Sequence, residues 1–194
     1  MRLLAKTGFN TTTRPALFLD RDGVINWDYG YVHRKESFDF KPGIFDLILD
    51  AKASGYLCVV VTNQAGIGRG LYSTEQFRRL SNWMCEQFEN KGGLIDAIYY
   101  SPFHPVEGLG KYLLEENTRK PGAGMFYEAI EDLNIDVSKS IMVGDKMSDM
   151  KAGISANVAD NYLLCSSSDA EIPKELDKKI IQVSDFSTII SQLR

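Results

Sequence analysis

Histidine and cysteine are scarce in this chain, which carries only His33, His104, Cys58, Cys85 and Cys165. None of them stands at CxxC or Cys/His ligand spacing, so no disulfide framework or soft-ligand metal site is legible, and the thiols read as core residues. No apolar run approaches the roughly 18 residues that a membrane-spanning helix needs. Positive charge is not in excess either. A formal net charge of -4 and a pI near 5.3 exclude the electrostatic footprint of a nucleic-acid binder or an anionic-membrane binder. Residues 1–14 read as a polar leader with no apolar h-region, expected to be partly disordered, and the expected location is cytoplasmic. No repeat, low-complexity tract or dimer seam is visible, so a monomer is expected.

What remains is ordinary globular composition, 44% hydrophobic and 25% charged over 194 residues, enough for one core and for one domain over 15–194. The chain is organised around Ala16 to Asn26, where a short apolar strand runs into Asp20 and Asp22. Buried carboxylates are costly without a partner, so the pair marks either a site or a solvated turn. This stretch alone leaves both readings open.

The rest of the chain alternates strands with helices. After the first strand, 28–40 is aromatic, charged and without period, which reads as a loop or small flap. Lys41-Pro42-Gly43 opens a helix with Ile44, Leu47, Ile48 and Ala51 on one face, and 56–61 is a β-branched strand that stops at Thr62-Asn63-Gln64. Residues 65–71 read as a plain loop, since Gly66, Gly68 and Gly70 match no nucleotide fingerprint. Ser73 to Gln76 resembles a capping box ahead of Phe77, Leu80, Met84 and Phe88. A strand over 95–100, a long irregular loop over 101–121, a helix over 125–133 and a strand over 140–143 follow, the last ending in Asp145 and Asp149. A helix through Ala152 and Ile154, a strand over 162–164, a polar stretch and an amphipathic helix with Phe186, Ile189, Ile190 and Leu193 complete the pattern. Such alternation predicts an α/β fold, a parallel central sheet with helices on both faces, which binds ligands outside the carboxyl ends of its strands. Asp20, Asp22, Thr62, Asn63, Asp145 and Asp149 all fall at predicted carboxyl ends, which favours the site.

Converging carboxylates with no His or Cys among them make an oxygen-rich site of the kind Mg2+ prefers. A cation held by Asp20 and Asp145 would relieve their repulsion and polarise a phosphoryl oxygen, so the natural substrate is a phosphate ester. Asp20 is the candidate nucleophile. Asp22 is the candidate acid and base, with Thr62 and Lys120 stabilising the transferring group. Loss of Lys120 is expected to cost rate more than stability. Taken singly, Thr62-Asn63 could turn the chain, Arg119-Lys120-Pro121 could be a solvated loop and Lys146 a surface charge. Both histidines read as loop residues unless the flap brings His33 to the substrate.

Asp20-Arg-Asp-Gly-Val-Ile-Asn26, Val61-Thr-Asn-Gln64, Arg119-Lys-Pro-Gly122 and Gly144-Asp-Lys-Met-Ser-Asp149 together resemble the motifs of the haloacid dehalogenase (HAD) superfamily of phosphatases, in its histidinol-phosphatase-like branch. The resemblance implies a Rossmann-like sheet with a minimal cap of short flap and loops. It further implies Mg2+ held by Asp20, the Asp22 backbone carbonyl and Asp145, with Asp149 behind them. Asp28, Tyr29, Gly30, Tyr31, Thr62, Asn63, Gln64, Ala65, Arg119, Lys120 and Lys146 would touch a small sugar-phosphate substrate, without nucleic-acid or membrane partners. The implied reaction releases the C7 phosphate of a heptose bisphosphate through an aspartyl phosphate, on the way to nucleotide-activated heptose for surface polysaccharide. Histidinol phosphate or another sugar phosphate is the alternative substrate, and a non-catalytic sugar-phosphate binder is the reading from another class. The branch commonly holds a structural zinc in the loop before Arg119. The matching positions here are Ser101, Phe103, Glu116 and Thr118, so zinc is expected to be absent, with packing by Phe103, Tyr112, Leu113 and Leu114 in its place.

Overall fold

The structure, a computed structural model, describes residues 1–5, 12–165 and 172–193. Its strands are β1 (Arg2–Ala5), β2 (Ala16–Leu19), β3 (Leu57–Asn63), β4 (Ala97–Ser101), β5 (Ile141–Gly144), β6 (Asp160–Leu164) and β7 (Ile181–Val183). Its helices are α1 (Ile44–Ala53), α2 (Ala65–Gly68), α3 (Thr74–Asn90), α4 (Gly124–Leu133), α5 (Met147–Ser155) and α6 (Ser187–Leu193). The strands form one seven-stranded sheet in the order β1-β4-β3-β2-β5-β6-β7, parallel except where β1 runs antiparallel to β4.

Strand alternation sorts the core into two layers. In β2, Leu17 and Leu19 face the layer filled by α1, α3 and α6, while Ala16 and Phe18 face the layer filled by α4 and α5. Phe18 meets Phe126 of α4 with ring centroids 4.9 Å apart. The expected face of α3, Phe77, Leu80, Met84 and Phe88, is buried, and the capping box forms: Gln76 N–H donates to Ser73 Oγ at 3.1 Å and Ser73 N–H to Gln76 Oε1 at 2.8 Å.

Three expectations change. Residues 2–5, assigned from the sequence to a polar leader, form an edge strand. Arg2 reaches Asp132 at 2.9 Å, and the Tyr99 hydroxyl donates to the same carboxylate; the leader's residues 6–11 lie outside the described ones. The stretch over 65–71 is not a plain loop, since 65–68 closes into the short helix α2. The polar stretch before the last helix contains β7, too short and too exposed for alternation to reveal. Among the described residues no helix is long and apolar enough to cross a membrane.

The chain fills one side of the sheet from β2 through β3 and β4 before crossing back to β5. The reversal leaves a crevice between the carboxyl ends of β2 and β5. The segment over 27–40 arches beside it as a small flap. Its return leg is anchored by aromatics, with Phe38 4.9 Å from Phe40 and 5.6 Å from Trp83, and Phe40 4.8 Å from Phe45.

Candidate active site

At the end of β2 the backbone stays in the ladder for one more residue, Asp20 N–H donating to Val143 O at 3.0 Å. It then turns sharply, the N–H groups of Ile25 and Asn26 both donating to Arg21 O, at 2.8 and 3.1 Å. Gly23 makes the turn possible. Its φ is +88°, and a Cβ there would stand 2.1 Å from Asp145 Oδ2. This glycine lets the ends of β2 and β5 approach one another.

Carboxylate oxygens of Asp20, Asp145 and Asp149 lie within 4.8 Å of one another. Lys120 enters from the loop before α4, with Nζ 3.0 Å from Asp20 Oδ1 and 2.6 Å from Asp149 Oδ1, and donates to Val61 O at 2.8 Å. The ammonium is buried, yet these carboxylates hold its pKa above the ordinary value against desolvation. Lys120 offsets only part of the acid cluster. Burial pushes Asp20 up to about 7, with Lys120 opposing and Asp149, Asp145 and Asp22 adding to the rise. Burial likewise raises Asp145 to about 6. Asp145 Oδ1 is also buried without a hydrogen-bond partner. An unpartnered oxygen in a hard-ligand cluster short of positive charge fits a divalent cation such as Mg2+. Asp20, Asp145 and Asp149 are the carboxylates close enough together to hold it.

The structure adds a stability side to the expectation for Lys120: it is 2% exposed and sits between two buried acids, so its removal would strand both of them and is expected to cost stability as well as rate.

Asp22 is gripped rather than free. Arg21, itself 1% exposed, donates from Nη2 to both Asp22 oxygens at 2.7 Å and to Val32 O at 2.6 Å. Asn26 adds a bond to Oδ1 and Gln64 one to Oδ2, each at 3.1 Å. Every contact is a donor, which suits the ionised carboxylate.

The motifs on different elements meet through a reciprocal amide pair: Asn63 Nδ2 donates to Lys120 O and Lys120 N–H to Asn63 Oδ1, each at 3.0 Å. Thr62 and Gln64 are buried below the cleft. Gln64 Nε2 donates to Thr62 Oγ1 at 2.9 Å, which leaves the threonine hydroxyl proton free to donate elsewhere.

A cleft of about 620 Å³ opens above these residues. It brings together Asp20, Asp22, Asp28, Gly30, Tyr31, Asn63, Ala65, Arg119, Lys120 and Lys146 from the sequence-predicted set. Asp28 pairs with Lys146 at 3.0 Å. Burial works against its ionisation, but hydrogen bonds from Lys146 and the Gly30 N–H outweigh that and hold Asp28 below the ordinary range. Tyr29 does not join the lining: it is 60% exposed and its hydroxyl donates to Asp39 at 3.0 Å. Asp145 does not line this cleft but a neighbouring cavity, together with Gly23, Trp27, Asp28 and Lys41.

Sequence reasoning missed Arg21, Asn26, Tyr72 and His104. His104 lines the cleft, and its position in the long 101–121 loop was the available signal. His33 instead stacks on Tyr72 with centroids 5.0 Å apart. In that loop Thr118 Oγ1 donates to Ser101 Oγ at 3.3 Å, Arg119 to Phe103 O at 3.1 Å and His104 N–H to Tyr112 O at 3.0 Å, and the Phe103 and Tyr112 rings lie 5.9 Å apart. Leu113 and Leu114 do not share the expected packing. The turn over 110–112 leaves them 53% and 48% exposed.

A model of HAD-hydrolase-like proteins matches residues 117–171. Over 150 residues the chain is 53% identical to a Burkholderia mallei protein named D-glycero-alpha-D-manno-heptose-1,7-bisphosphate 7-phosphatase, a match covering 77% of this chain and 79% of that one. A Vibrio cholerae protein named for the beta anomer is 48% identical, with 78% and 81% covered. A crystal structure of D,D-heptose 1,7-bisphosphate phosphatase from B. bronchiseptica, complexed with magnesium and phosphate, superposes with a TM-score of 0.78 at 25% identity, covering 92% of this chain and 97% of that one.

Proposed function

The chain belongs to the D-glycero-D-manno-heptose-1,7-bisphosphate 7-phosphatases of the HAD-like hydrolases, and from that premise we propose that it hydrolyses the C7 phosphate ester of such a bisphosphate, with Mg2+. The observation that carries the reading is the pairing, in one cleft, of a buried Asp20 gripped by Lys120 with further cations, Arg119 and Lys146, across from it.

Both the Arg21 N–H and Lys120 address Asp20 Oδ1, at 2.7 and 3.0 Å. That leaves Oδ2 to attack phosphorus. The new bond is Asp20 Oδ2–P, and the bond broken is P–O to C7, whose oxygen takes a proton from Asp22 as it leaves. Water then attacks phosphorus with Asp22 as base, releasing phosphate and restoring the Asp20 carboxylate. Asp22 as held by Arg21, Asn26 and Gln64 is the receiving form. Its acid form gives up at least one of these contacts, since each oxygen meets only donors. Lys120 and the Thr62 hydroxyl compensate charge on the transferring group. Bound Mg2+ would neutralise the acid cluster and polarise a phosphoryl oxygen. Arg119 and Lys146, with the flap residues Gly30 and Tyr31, meet the rest of the sugar and its second phosphate in this reading, which their shared place on the cleft lining supports.

This role belongs to a monomeric cytoplasmic enzyme supplying nucleotide-activated heptose synthesis for surface polysaccharide. A panel of phosphate esters assayed with Mg2+ tests it. Heptose 1,7-bisphosphate is expected to give the highest kcat/KM, and a higher value for histidinol phosphate would overturn the substrate assignment.

A further inference from the structure

Tyr31 lines the cleft in a backbone conformation that non-glycine residues seldom adopt, φ +51°, directly after Gly30 at +80°. The base of its turn is pinned by the Asp28–Lys146 pair at 3.0 Å. The tip is held by different residues. Arg69, just past α2, donates to the Tyr31 hydroxyl and lays its guanidinium over the ring, 5.1 Å from the centroid. The same Nη1 reaches Glu107 Oε2 at 3.2 Å, and Glu107 Oε2 stands 3.4 Å from His104 Nε2. His104 Nδ1 accepts from the N–H groups of Val106 and Glu107, at 3.3 and 3.0 Å. The ring hydrogen is thereby assigned to Nε2, facing Glu107.

We propose that Arg69 and Glu107 are positioning residues for the sugar side of the cleft: through Tyr31 and His104 they tie the flap, the end of α2 and the 101–121 loop into one closed wall. The chain of contacts is not needed to attach the loop to α2, because Leu109 N–H already donates to Gly68 O at 2.8 Å. What the side chains add is the placement of Tyr31. The ring comes so close to α2 that a Cβ at Gly66 would stand 3.0 Å from Tyr31 Cδ1. Arg69 and Glu107 are 30% and 48% exposed in their side chains, and pairs of that kind contribute little to stability. Their loss is therefore expected to change recognition without unfolding the protein.

The inference rests on the phosphatase reading of the cleft, so its test sets a sugar bisphosphate against a small aryl ester, p-nitrophenyl phosphate, which has no sugar to meet Tyr31. In Arg69→Ala, KM for heptose 1,7-bisphosphate is expected to rise about ten-fold with kcat within about two-fold, and both constants for the aryl ester should stay within about two-fold. Glu107→Gln should give a smaller rise, about three-fold, in the same constant alone. The double variant should be no worse than Arg69→Ala, because both act along one chain of contacts. Equal losses on both esters, additive losses, or an unchanged KM for the sugar bisphosphate would overturn the assignment. If the unaltered protein hydrolyses the aryl ester but not heptose bisphosphate, the substrate reading fails by itself, and the same comparison is decided on the sugar phosphate it does hydrolyse. If it hydrolyses neither, the phosphatase reading fails. Titration with a sugar phosphate and with inorganic phosphate then decides the positioning role, which predicts that Arg69→Ala weakens only the former.

Discussion

On the strand-end side of the cleft Asp20, Lys120 and Asp149 are 6%, 2% and 1% exposed, and each is fixed by contacts from at least one other element. On the facing side Tyr31 is 43% exposed, and it is held through Arg69 and Glu107 at the surface. The difference follows from what each side has to do. The phosphoryl end keeps a cluster of acids out of water, which is possible only with a buried cation and dense hydrogen bonding. The sugar end can be assembled from exposed pairs, each weak in stability but sufficient to set the shape of a wall. On the proposed reading, chemistry would be over-determined by the core and recognition set by loops resting on it.

The largest effect that would break this contrast is at Asp20. Asp20→Asn should lower kcat by about 10⁴-fold or more while the far-UV spectrum and the unfolding midpoint stay close to those of the parent. Lys120→Met comes next and should fail in both respects. Phosphate release should fall by about 10²–10³-fold, and denaturant unfolding should show a loss of about 3–5 kcal/mol, because Asp20 and Asp149 are left buried without their cation. On the sugar side, Arg119→Ala should raise KM for the bisphosphate by about ten-fold with kcat nearly unchanged; a matching loss on p-nitrophenyl phosphate would erase the distinction between the two ends. Tyr29→Phe should do least. It removes an exposed bond to Asp39, so steady-state constants should not move and stability should change by no more than about 0.5 kcal/mol.

Much of the phosphoryl end was legible before folding was considered. The β-branched run ending at Thr62 and the apolar run ending at Asp20 put their polar residues at carboxyl ends, and a parallel sheet then brings those ends together. Arg21 was not legible. Between two aspartates it reads as a spacer, and only the turn that carries Ile25 and Asn26 back to its carbonyl shows it buried against Asp22. The sequence marked Lys120 as a candidate cation for phosphate but not as a stabilising one, because its second partner, Asp149, is 29 positions away in sequence. The edges were lost for a different reason. β1 and β7 have 4 and 3 residues, too few for alternation to register. The Arg69–Glu107 contact lies between a helix end and an irregular loop, where no periodicity exists to read.

The central claim is that Asp20 and its neighbours release phosphate from C7 while the other phosphate is retained on the sugar. Phosphorus-31 NMR of D-glycero-D-manno-heptose 1,7-bisphosphate incubated with the protein and Mg2+ tests it most directly. The C7 monoester resonance is predicted to disappear as inorganic phosphate grows, while the C1 resonance persists at full intensity. Loss of the C1 resonance first, or no release at all under conditions where histidinol phosphate is consumed, would contradict it.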